Sequence, residues 1–83
     1  MPVIFRYKSF RFFFFSNEGT PPEPPHVHVR QGGASAQFWL RPGIRLAESY
    51  GFDAPTLREL AGIVEQQREL IERTWNEYFS HLA

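Results

Sequence analysis

Apolar and polar positions alternate through the first half of the chain, and the period then lengthens. Residues 2–7 (Pro-Val-Ile-Phe-Arg-Tyr) are β-branched and aromatic, a composition that favours a strand. Residues 10–15 (Phe-Arg-Phe-Phe-Phe-Phe) predict a second strand. Only Lys8 and Ser9 separate the two, so a tight hairpin is expected, without the Gly or Asn that two-residue turns favour. Alternation puts Phe10, Phe12 and Phe14 on one face and Arg11, Phe13 and Phe15 on the other. Phe on both faces predicts either a central strand packed on each side or a face that awaits a partner. Residues 26–30 (His-Val-His-Val-Arg) alternate strictly and predict a third strand. Gln31-Gly32-Gly33 then signals a turn, and residues 34–40 predict a fourth strand. After Arg41-Pro42-Gly43, residues 44–49 read as a short strand or a helical turn, with the strand preferred. Residues 16–25 hold Pro21, Pro22, Pro24 and Pro25, so they read as a stiff loop and not as a central strand.

From Asp53 apolar residues fall at Leu57, Leu60, Ala61, Val64, Ile71, Trp75, Tyr78, Phe79 and Leu82, the spacing of an amphipathic helix. Asp53 suits an N-cap, and Pro55 is tolerated in the first turn. Unbroken, this helix would run roughly 27 residues, or ~40 Å at 1.5 Å per residue. Gly62 is a candidate kink or close contact. The expected fold class is α+β: an antiparallel sheet of about four strands packed on one long C-terminal helix, a two-layer sandwich.

The 83 residues leave room for one domain, 1–83. There is no cysteine, which excludes a disulfide scaffold and a zinc–thiolate site and fits a reducing cytoplasm. No secretory signal and no membrane-length apolar run is visible, so a cytoplasmic protein without membrane contact is expected. The net charge is zero, but its distribution is uneven. Residues 1–45 hold six basic and two acidic residues (+4), and residues 46–83 hold three and seven (−4). The front half can attract phosphates, or the two halves can complement each other within the fold.

The candidate chemistry lies in Pro24-Pro25-His26-Val27-His28-Val29-Arg30. On a strand, His26, His28 and Arg30 share one face, with the imidazoles roughly 6.5–7 Å apart, and Val27 and Val29 face the core. Both imidazoles are expected side by side within reach of solvent. Three readings stay open. A His-x-His pair can bind a metal, with Glu18, Glu23, Asp53 or His81 as further ligands, none at diagnostic spacing. The histidines can act as general acid and base on a phosphodiester, since imidazole titrates near neutrality. In that case Glu18 or Asn17 orients a ring, and Arg30 or Arg11 holds the phosphate. Or they are structural. The phenylalanines around Arg11 resemble a base-stacking platform, but such a run is more often core, as are Trp39 and Trp75. The Glu-rich helix face reads as solvated.

These residues resemble a family of small bacterial proteins known as a domain of unknown function. The likeness rests on Pro2 to Arg6, Phe10 to Glu18 and Pro24 to Val29, and on Phe38-Trp39-Leu40, Gly51-Phe52, Trp75 and Phe79. The stretch Gly19 to Glu23 departs from the family spacing as an insertion. The resemblance implies one half of a two-gene pair similar to a type II toxin–antitoxin module, with this chain as the toxin. It implies an activity on RNA or translation and a small antitoxin-like partner. His26, His28 and Glu18 are then the catalytic candidates, and Arg30, Arg11 and Asn17 the substrate-binding ones, with no cofactor. A homodimer is a further expectation. The alternatives are a non-enzymatic protein-interaction module or a small metal-binding protein.

Overall fold

A computed structural model describes residues 3–15 and 24–79. Five strands come first: β1 (Val3–Tyr7), β2 (Phe10–Phe13), β3 (His26–Gln31), β4 (Ala34–Trp39) and β5 (Arg45–Tyr50). Two helices follow, α1 (Ala54–Gln66) and α2 (Arg68–Phe79). The strands form one antiparallel sheet in chain order, β1-β2-β3-β4-β5. Strands consecutive in the chain are neighbours throughout, so the sheet is a meander. The fold class is α+β, with the preferred reading of residues 44–49 as the fifth strand.

The hairpin between β1 and β2 turns on Lys8-Ser9, with Lys8 at φ +53°. Gly supplies that conformation more readily, which is the cost of the missing turn residue. The Lys8 side chain is tied down elsewhere: its Nζ lies 2.7 Å from Glu59 Oε2, and Tyr7 Oη donates to the same oxygen at 2.8 Å. The first hairpin is thereby joined to α1.

The expected single helix is two. Gln67, at φ −101° and ψ 14°, separates them, although Gln67 N still donates to Ile63 O at 3.0 Å and Ile71 N to Gln67 O at 2.9 Å. Leu60 and Val64 from α1 and Ile71, Trp75 and Phe79 from α2 all reach the buried core. A bend at Gln67 lets both halves keep this stripe on a twisted sheet. Gly62 is not the break: it lies inside α1, and a Cβ there would meet nothing within 4 Å. Asp53 is the N-cap as expected, its Oδ1 accepting from Thr56 N at 2.9 Å.

One sheet face carries Phe10, Phe12, Val27, Val29, Ala36 and Phe38 into the core with Phe14 and Leu40, and the helices cover it. The alternation predicted for the phenylalanines and valines holds there. The other face carries Arg6, Arg11, Phe13, His28, Arg30, Gln37, Glu48 and Tyr50, by the strand register. The helices leave most of it open, but at the start of β3 Trp75 of α2 packs against His26, which shares this face.

Candidate nucleic-acid interface

A two-residue loop between β1 and β2 sets Tyr7 opposite Phe10 and therefore Arg6 opposite Arg11. The next strand sets Arg11 opposite Arg30. Three arginines thus stand abreast on three neighbouring strands. Adjacent strands lie about 4.8 Å apart. Like charges placed opposite each other across a sheet are destabilising. Arg6 and Arg30 are exposed and Arg11 half-buried, so solvent relieves part of that cost. Among the described residues, the ion pairs are Lys8–Glu59, Arg41–Glu72 and Arg68–Glu72, and no carboxylate neutralises the three arginines. An arriving anion would do so.

Beside this row lies an aromatic cluster. Phe13 is only 2% exposed although it faces away from the helices. Neighbours on its own face enclose it: Phe15 at 5.4 Å and His28 at 5.6 Å between ring centroids. The Arg30 guanidinium sits 5.7 Å from the Phe13 centroid and 5.9 Å from that of Phe15, a cation–π arrangement that holds the charge over the rings. Phe13 is thus buried, in keeping with the reading of this run as core, but it and the half-buried Phe15 pack outside the helix-covered cluster.

The two imidazoles share a face, with ring centroids 5.2 Å apart. Their environments differ, which corrects the expectation that both reach solvent. His28 is half-buried against Phe15, centroid to centroid 4.5 Å. His26 is fully buried, at 0% exposure. At the start of β3 the second helix comes close enough to cover it. The ring packs 5.0 Å from Trp75 and 5.2 Å from Trp39, and its Nδ1–H donates to the Pro24 carbonyl at 3.0 Å. A carbonyl can only accept, so this hydrogen bond fixes the proton on Nδ1. Burying an imidazole needs such a partner, because an unpaired polar group in an apolar site is costly.

The remaining candidates fall in three groups. Arg30 and Arg11 are brought together with His28. Asn17, Glu18, Glu23 and His81 lie outside the described residues. Asp53, a candidate metal ligand, caps α1 instead. Among the described residues, no group of three or more His, Asp or Glu side chains is placed to hold a metal ion. Among them, too, no helix is long and apolar enough to cross a membrane.

Residues 9–76 match the model of a domain of unknown function, DUF4160. The chain belongs to the DUF4160 family. That match takes in Phe10 to Phe15 and the Pro24–Val29 motif, and leaves out Pro2 to Arg6. No curated protein and no solved structure matches the chain. In this DUF4160 chain, sequence reasoning missed Arg6, Glu48 and Tyr50 as members of the open face. Arg6 was recoverable: a two-residue turn at Lys8-Ser9 already pairs it with Arg11. Glu48 and Tyr50 were not, because β5 pairs with β4 through a register shift at Gln37/Phe38 that nothing in the local sequence marks.

Proposed function

We propose that this protein is the toxin-like member of a two-protein toxin–antitoxin pair and acts on RNA through the open face of its sheet. The observation that carries the reading is the row Arg6–Arg11–Arg30 beside Phe13, Phe15 and His28. Arginines in a row follow a phosphate backbone, and the half-buried rings of Phe15 and His28, backed by the buried Phe13, offer stacking surfaces to unpaired bases. His28, half-buried at the edge of that surface, is the acid–base candidate for the phosphodiester. His26 sits behind it as a positioning residue, held by the Pro24 carbonyl.

Induced expression in a bacterial host tests the whole reading. The wild-type chain is expected to arrest growth, and His28→Ala to relieve the arrest while keeping the wild-type circular dichroism. A folded His28→Ala protein that remains toxic removes the acid–base role. Binding of labelled single-stranded RNA tests the surface separately. Arg11→Ala with Arg30→Ala should weaken it for every sequence. The slope of log affinity against log salt should become shallower by about 0.7 for each phosphate that the variant no longer neutralises.

A second reading, a non-enzymatic interaction module, draws on β5. Every residue of this edge strand is exposed, including Leu46 and Tyr50. An exposed edge offers main-chain groups to a strand from an antitoxin-like partner or from a second copy. A gene neighbour that co-purifies, with neither growth arrest nor RNA binding, would favour this reading over the first.

A further inference from the structure

The open face contains a pocket of about 310 Å³ over β3, β4 and β5, beside the arginine row. Two cross-strand rows build it. His28 lies opposite Gln37, which lies opposite Glu48. Arg30 lies opposite Ser35, which lies opposite Tyr50. Phe15 stands at the β3 side and Tyr50, 74% exposed, at the β5 side. Two strand spacings, roughly 9.6 Å, separate β3 from β5. A pocket of this volume has room for a flat ring.

Glu48 is the informative residue. A carboxylate beside an arginine row opposes phosphate binding, so a phosphate alone is a poor occupant of this end of the pocket. Among the described residues Glu48 has no ion-pair partner, and Gln37 is its cross-strand neighbour. An ionised carboxylate offers two acceptor oxygens and no donor. It therefore selects a group that presents two donors side by side. Among the four RNA bases only guanine does so, through N1–H and its exocyclic amine. Adenine and cytosine put an acceptor next to their amine, and uracil sets one donor between two acceptors.

We infer that the pocket takes an unpaired guanine base of a single-stranded RNA, with Glu48 reading its donor edge, Phe15 and Tyr50 flanking the ring, and Arg30 on the adjoining phosphate. This rests on the reading of the open face as an RNA-binding surface and names the base it recognises.

The test uses the full chain and fluorescence anisotropy with labelled short oligouridylate, against the same oligomer carrying one central guanosine, adenosine or cytidine. The guanosine oligomer should bind about tenfold more tightly than the others, in keeping with the discrimination of one bidentate base pairing. In Glu48→Gln, one acceptor oxygen becomes a donor, and the ratio of guanosine to uridine affinities should fall to near one. Equal binding of all four oligomers by a wild-type chain whose binding still depends on Arg11 and Arg30 overturns the guanine assignment and leaves the RNA surface standing. A guanosine preference that persists in Glu48→Gln overturns the role of Glu48. If no oligomer binds, the RNA reading fails and the base assignment falls with it.

Discussion

Gly51 and His26 show how single residues constrain this fold. Gly51 follows β5 at φ +84°, and an added Cβ would come 3.0 Å from Ala34 Cβ and 3.2 Å from Ala34 Cα. The backbone conformation strains any residue with a Cβ, and the tight approach would in addition push Ala34 aside. Gly51→Ala should therefore cost more than about 1 kcal/mol. The midpoint of thermal unfolding should fall by at least ~4 °C. At His26, truncation to Ala would leave a cavity between Trp39 and Trp75 and strip the Pro24 carbonyl of its donor. The expected loss is about 2–4 kcal/mol in urea unfolding. The half-buried His28 should lose only about 1 kcal/mol on the same change. Equal losses at the two positions would contradict the division of roles between them. The asymmetry also decides which variant is informative in a growth assay. Relief by His26→Ala reports unfolding as readily as lost chemistry, whereas relief by His28→Ala does not.

The helical layer is stabilised at its start and weakened in its middle. Asp53 receives the Thr56 N–H, so Asp53→Ala should fray α1 and lower the thermal midpoint, with the open sheet face unchanged. Gly62 lies exposed inside α1 with open space around its Cα. Glycine costs a helix interior roughly 0.5–1 kcal/mol relative to alanine. Gly62→Ala should thus stabilise the protein by about that amount, read as a rise of several degrees in the midpoint. A fall would mean that α1 needs flexibility or a close approach there. On the sheet side, the first hairpin relies on the hydrogen bonds of Lys8 and Tyr7 to Glu59, which offset a turn residue poorly suited to positive φ.

Across the whole molecule, two carboxylates, Glu59 and Glu72, tie the helices to the sheet layer, a third, Asp53, caps α1, and all three are held below their ordinary pKa. Glu59 is lowered below its ordinary pKa by the hydrogen bond from Lys8 and then by that from Tyr7. Glu72 is lowered by Arg68 first and by Arg41 next, the latter reaching across from the loop after β4. Asp53 is lowered by hydrogen bonding from Thr56. A carboxylate with a lower pKa in the folded state than in the unfolded state binds fewer protons when folded. Its stabilisation is complete above the unfolded value and is lost as pH falls through the folded one. Stability should thus hold through the neutral range and decline as the pH drops through and below the ordinary carboxylate range. Thermal unfolding across that range should show the decline. Glu72→Gln should flatten part of it, because Glu72 links two arginines from separate elements.

Local pattern was enough for much of this architecture. Alternation at Phe10 to Phe14 and at His26 to Arg30 fixed strand faces, and Asp53 with Pro55 fixed the helix start, because these depend on neighbours within a few residues. The Pro-Pro-His-Val-His-Val run likewise placed its two imidazoles on one face of a strand. Pattern could not foresee the break at Gln67, where no Gly or Pro interrupts the helix and the stripe keeps its phase. Nor could it separate His26 from His28, two residues apart with the same local environment. Burial of one and not the other follows from Trp75, which lies far along the chain and arrives only when α2 packs. The arginine row and the pocket over β3, β4 and β5 have the same origin: each is assembled from strands whose register is set by pairing, and that pairing is a property of the folded sheet.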